Sequence, residues 1–414
     1  MSQINFEKKI LKNGLTVIYH SDPNTPFVVV NTLYKVGSKN ELHHKTGFAH
    51  LFEHLMFEGT PNIPYFDGPL QEAGGENNAF TNNDYTNYYD FVPATNAEIP
   101  FWMEADRMQN LKINATSLKL QKKVVIEEFK ENYINQPYGD IQHILRTMVY
   151  QKHPYQWPTI GKDIGHIKDA TLKEVKDFYH QYYSPNNAIL VVAGNIESDK
   201  TFELVEKWFS DIPTQNQSSL EIAQEPIQTS AREKTHLANV PENMIILAFQ
   251  MPGRLEKGYF EGDLITDILS SGPSSRLEYQ LVKERALFSD IDAYITGSID
   301  TGMFVIEGRI HNGIDIQVAK DAIWEELKNL QENDISDIEL EKVKNQMLTY
   351  MRFSDASLLN KAISLAYYEM LGNAQLINEE ADEYENISKE DIRDFAKKYL
   401  NFSQSNTLYY LSKA

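Results

Sequence analysis

The apolar positions of this chain follow two periods, and the switches between them mark out its elements. Residues 11–19 (LKNGLTVIY) read as strand, Asn-Gly turn, strand. Residues 27–36 (FVVVNTLYKV) open on a near-continuous apolar run, the mark of a central strand, which Gly37 and Ser38 break. Residues 45–60 (KTGFAHLFEHLMFEGT) then predict a helix with Thr46 as N-cap, Gly59 as C′ residue and no proline between. Its residues Phe48, Ala49, Leu51, Phe52, Leu55, Met56 and Phe57 wrap nearly all round, the pattern of a buried helix. Behind a bend at Gly74 and Gly75, two strands flank Asn82, Asn83 and Asp84. Helices are expected at 98–111, 117–134, 172–183 and 200–209, with a strand at 188–194. After a polar, patternless stretch at 213–235 the outline repeats. The second half reads as strand 244–251, helices 260–269 and 274–285, and strand-like runs with a glycine turn over 291–306. Helices 318–331, 338–351, 357–371 and 387–399 follow, then a last strand at 407–411. The expected division is 1–215, a linker at 216–235, and 236–414.

The chemistry sits in the buried helix. His50 and His54 lie at i and i+4, one turn apart on one face, where two imidazoles can grip one small cation; zinc takes nitrogen ligands readily. Glu53 is beside His54 and can act on a water at such a metal without occupying it, the H-x-x-E-H order. The alternative is two core histidines bonded to carbonyls. Three polar groups in an apolar helix favour the metal, because each left unpaired there costs about 2–7 kcal/mol. Glu127, Glu128 and Glu131, in the helix at 117–134, are candidates for a third ligand. The apolar stripe of Leu118, Val124, Val125, Phe129 and Tyr133 turns Glu128 inward and leaves Glu127 and Glu131 nearer water. The strand through Asn78, Ala79 and Phe80 is either an edge that accepts a peptide as an added strand or an ordinary hairpin arm.

Composition narrows the classes. A chain of 414 residues is too long for one ordinary core. Its 39 Lys+Arg against 59 Asp+Glu leave −20, which argues against a nucleic-acid partner. With 0 cysteines, disulfides and thiolate metal sites are excluded, so zinc must use histidine and carboxylate. No apolar run is long enough to span a membrane, and the polar N-terminus lacks a signal-peptide core. The expected location is cytoplasmic, or periplasmic if a leader has been removed.

Several segments together resemble the pitrilysin/insulinase family of zinc peptidases, in its shorter branch similar to the mitochondrial processing peptidase beta subunit. They are 36–41 (VGSKNE), 46–60 with the histidine pair, Gly74-Gly75 with 78–81 (NAFT), 124–128 (VVIEE) and 183–195 (YSPNNAILVVAGN). The resemblance implies an α+β fold of two similar domains, each a mainly antiparallel sheet with helices packed on one face. The first would be catalytic and the second a non-catalytic homologue. It implies Zn²⁺ held by His50, His54 and Glu128, Glu53 as general base, and the substrate backbone held by Asn78, Ala79 and Phe80. Gln121 stands where family members often carry a second glutamate, which shifts rather than abolishes the metal site. The family also uses an Arg and a Tyr from a non-catalytic repeat; the matching positions here hold Val282 and Ser289, with Arg285 one turn away. The implied protein is therefore the zinc-bearing subunit of a heterodimer. A homologous zinc-less partner would supply the missing pair, and unfolded peptides would be cut inside a clamshell chamber. A non-catalytic scaffold subunit and a homodimeric peptidase are the alternatives.

Overall fold

The computed structural model describes residues 3–215 and 221–413. Two sheets organise them. The first runs β1 (Glu7–Ile10), β2 (Thr16–Ser21), β6 (Ala188–Gly194), β3 (Phe27–Tyr34), β5 (Thr86–Pro93), β4 (Glu76–Thr81). The second runs β7 (Arg232–Ala238), β11 (Ser405–Ser412), β8 (Met244–Met251), β10 (Gly302–Ile310), β9 (Phe288–Ile295). In each, one parallel pair (β2 with β6, β7 with β11) joins an otherwise antiparallel sheet. The α+β architecture of two similar sheet-and-helix domains stands, and the repeat inferred from pattern reaches down to strand order.

The central strands are apolar on both sides, so both sheet faces need cover. In the first unit Val29 and Leu33 of β3, with Ile189, Val191 and Ala193 of β6, pack under the helix Leu358–Met370. In the second, Ile246, Ala248, Val305 and Leu408 pack under the helix Ile141–Val149. In the second unit the helices Tyr259–Ser270, Ile316–Glu332 and Lys389–Tyr399 pack on the other face of the sheet, so the expectation of helices on one face is supplemented there by a covering helix on the second.

That second layer changes the domain boundaries. One compact unit comprises 1–131, 157–223 and 352–379; the other comprises 132–156, 224–351 and 380–414. The contiguous division 1–215, 216–235, 236–414 does not describe them, because each half of the chain lends a helix to the other half's sheet. The expected linker also contains structure. Residues 216–220 lie outside the described residues, but β7 begins at Arg232, and Gln228 is buried with its side chain bonded to Ser405 and Asn406. Among the described residues no helix is long and apolar enough to cross a membrane.

Candidate metal centre

The histidine helix is two turns long, Phe48–Leu55. Phe48, Ala49, Leu51, Phe52 and Leu55 are buried, and Phe52 stacks on Phe178 and Tyr183 at 5.2 and 5.0 Å. That leaves His50, Glu53 and His54 on the half-exposed strip. Its N-cap is Gly47 in the left-handed region (φ 88°), not Thr46, whose hydroxyl bonds His166 and the Lys162 amide instead. It ends at Leu55 with Met56 as cap, short of Gly59.

Glu128 comes from the neighbouring helix Ala115–Phe129, started by a reciprocal cap between Asn114 and Ser117. The helix expected to run on to 134 changes after Phe129 to a π-helical turn, Lys130–Ile134, a form found often beside functional sites. Glu128 faces inward while Glu127 and Glu131 are exposed.

Three donor atoms converge. His54 Nε2 lies 3.4 Å from His50 Nε2 and 3.4 Å from Glu128 Oε2, and His50 Nε2 lies 3.6 Å from the same oxygen. These gaps are long for hydrogen bonds, which close at about 2.7–3.2 Å. They suit ligands of one shared ion: tetrahedral zinc with bonds of about 2.0–2.1 Å sets its ligand atoms roughly 3.3 Å apart. Among the described residues this is the one group of three His, Asp or Glu side chains so gathered. Burial, with His54 alongside, holds His50 down to about 3, which favours the neutral imidazole a metal needs. Burial raises the Glu53 carboxyl above its ordinary range, against the pull of Thr81 and His54. The residues present therefore fit zinc.

Asn78, Ala79 and Phe80 lie on β4, the edge of the first sheet, and the histidine helix packs against that strand. The Ala79 amide donates to its neighbour Asn78 Oδ1 at 2.8 Å. Gln121 donates to Glu58 Oε1 at 2.6 Å, tying the Glu128 helix to the end of the histidine segment. In the second unit Val282 lies in the π-helical segment Glu278–Glu284, where a full helix at 274–285 was expected. Ser289 donates to Glu242, and Arg285 is engaged with Glu325.

Sequence reasoning missed three supports of this site. Thr81 lies beside Glu53. Glu41, six residues before Gly47, is folded back on the helix start, and Trp157 contacts it from far along the chain. Beneath the helix lies a buried group of Asp90, Glu104 and Arg107. Thr81 and Glu41 stood in the 78–81 and 36–41 segments, so their places were within reach; Trp157 and the buried group carry no local periodic signal.

Two family models match the chain: one described as insulinase (peptidase family M16) over residues 16–163, and one described as peptidase M16 inactive domain over 169–347. The chain is 29% identical over 410 residues to the zinc protease PqqE of Helicobacter pylori, covering 97% of this chain and 92% of that one. It is 24% identical over 419 residues to the mitochondrial-processing peptidase subunit beta of Saccharomyces cerevisiae, covering 92% and 86%. A crystal structure of a protease from Helicobacter pylori superposes with a TM-score of 0.93 at 28% identity, covering 99% of this chain and 100% of that one.

Proposed function

This chain belongs to the insulinase family, peptidase family M16, and from that premise we propose that it is a zinc-dependent endopeptidase subunit acting on unfolded peptides. The observation that carries the reading is the convergence of His50 Nε2, His54 Nε2 and Glu128 Oε2 with Glu53 beside them. His50, His54 and Glu128 would hold the ion. When bound, zinc supplies a Lewis acid that polarises the scissile carbonyl and lowers the pKa of water. Glu53 takes the proton from the attacking water on a carboxylate oxygen and returns it to the leaving amine nitrogen. Its partial burial raises its basicity towards the range useful for a general base. The outer edge of β4 offers backbone groups to an extended peptide through Asn78, Ala79 and Phe80, and the Ala79 amide leaves the Asn78 side chain to do so. Gln121, bonded to Glu58, keeps the Glu128 helix in register without adding charge.

Three residues argue for a partner. Val282 cannot donate to an oxyanion, Ser289 is bonded to Glu242, and Arg285 is paired with Glu325, so the second half supplies no free Arg and Tyr there. We read the first half as the catalytic domain, the second as its non-catalytic homologue, and the active species as a heterodimer with a homologous zinc-less chain. The resemblance to a processing-peptidase beta subunit supports that reading.

The test is metal content and peptide hydrolysis of the purified chain. One zinc per chain is expected, lost in Glu128→Gln and kept in Glu131→Gln, with hydrolysis far below ~1 s⁻¹ until a partner is added. A chain without zinc after repletion would make it a non-catalytic scaffold. Full turnover by the chain alone would remove the need for a heterodimer.

A further inference from the structure

The histidine helix is short and starts poorly by its own means. It is eight residues long, its N-cap Gly47 has no side chain to offer, and its first turn holds no acidic residue. The first amides of such a helix need acceptors from elsewhere. Glu41 provides them. Its carboxyl is buried: Oε2 accepts from the Gly47 amide at 2.9 Å and Oε1 from the Ala49 amide at 2.8 Å. Trp157, also buried, donates its indole N–H to Glu41 Oε2 and to the Ser38 carbonyl, both at 3.1 Å. Asn83, at the turn between β4 and β5, donates to Ser38 Oγ at 2.7 Å, and the Lys39 amide donates to the Asn83 carbonyl at 2.9 Å. By way of Trp157 and Ser38, this buried carboxyl links the start of the helix carrying His50 and His54 to the hairpin that carries β4.

We propose that Glu41 is a positioning residue for the metal centre: through the Gly47 and Ala49 amides it sets the place and pitch of the histidine helix, and so the aim of His50 and His54 at Glu128. This rests on the zinc reading above. A ligand swung by a fraction of an ångström loses affinity, as with other residues that orient ligands from behind, where loss costs about 10–100-fold. In Glu41→Gln one oxygen becomes an NH₂ facing N–H donors, so one of the two anchors is lost while the volume is kept.

The experiment measures zinc affinity of the full chain by chelator competition and the visible spectrum of the cobalt-substituted protein. Wild type, Glu41→Gln, Trp157→Phe and the control Glu174→Gln, a partly exposed carboxylate of the helix Leu172–Tyr182 paired with Lys45, are compared at a temperature where circular dichroism shows each folded. The expected result is an affinity at least tenfold weaker in Glu41→Gln with an altered cobalt spectrum, a smaller loss in Trp157→Phe, and no change in Glu174→Gln. A folded Glu41→Gln chain with wild-type affinity and spectrum overturns the proposal. If Glu41→Gln does not fold, Trp157→Phe decides: unchanged affinity and spectrum overturn it equally. Wild type that binds neither metal sinks the zinc reading itself, and this inference with it, which is a different pattern from a difference between variants.

Discussion

Arg107 lies fully buried under the histidine helix, its guanidinium over the rings of Tyr88 at 4.3 Å and Phe66 at 4.8 Å and paired with Glu104. Tyr88 in turn donates to the Phe52 carbonyl of the histidine helix at 3.3 Å. Removing one partner of a buried ion pair strands the other charge, so Arg107→Met is expected to cost about 3–5 kcal/mol in urea unfolding. Asp90 faces the same group. Burial, with Glu104 next, pushes its carboxyl well above the ordinary range, so the folded chain holds a proton there that the unfolded chain releases. Its contribution is complete below about pH 4, the unfolded value, and is lost as pH rises through the raised folded value. Wild type should therefore lose stability between pH 5 and pH 8 relative to Asp90→Asn, which keeps the neutral shape. Parallel slopes for the two chains would place the proton elsewhere. None of this group was legible: Asp90 stands in a β-rich run and Glu104 and Arg107 in an ordinary-looking helix, and only the fold brings them together.

At the scale of elements, both halves begin the equivalent helix with the same device. Gly47 precedes Phe48–Leu55 at φ 88°, and Gly258 precedes Tyr259–Ser270 at φ 107°. The surroundings differ. A Cβ at Gly47 would meet the Ile160 carbonyl at 2.7 Å and Ile167 Cδ1 at 2.8 Å, whereas at Gly258 the nearest atom is Pro252 Cγ at 3.0 Å. Gly47→Ala should therefore cost more than the roughly 1–3 kcal/mol of backbone strain alone and weaken zinc binding. Gly258→Ala should cost about that strain and leave the metal affinity unchanged. Equal losses of stability in thermal unfolding would refute the difference. Most element positions were legible because strand and helix periods are local. The π-helical turn after Glu128 was not, because a side-chain stripe does not reveal whether the amides bond four or five residues back. The cap at Gly47 was missed because Thr46 is the commoner capping residue and its hydroxyl is taken by His166 and Lys162.

For the whole molecule, the exchange of covering helices sets what can fold alone. A fragment 1–215 lacks the helix Leu358–Met370 that buries one face of its sheet, and a fragment 236–414 lacks Ile141–Val149. Each is expected to expose a broad apolar sheet face, bind hydrophobic dye and aggregate, while the two produced together recover native-like circular dichroism. A cooperatively melting, dye-silent fragment 1–215 would show that the covering helix is dispensable. The charge of −20 belongs to this scale as well; like charge spread over the surface opposes self-association.

The sequence by itself determined most of the order of strands and helices, its repetition in the second half, the i, i+4 histidine pair and the side of its helix on which Glu128 lies. These follow from side-chain period and spacing within one or two elements, whereas the α+β plan of two similar domains was implied by the resemblance. The tertiary structure alone decided that three ligand atoms from two helices meet within 3.4–3.6 Å, that Glu41 and Trp157 anchor the histidine helix, and that each half borrows a helix from the other. Those are contacts between segments tens to hundreds of residues apart, fixed by packing and by the need to satisfy buried polar groups, and no local pattern encodes them.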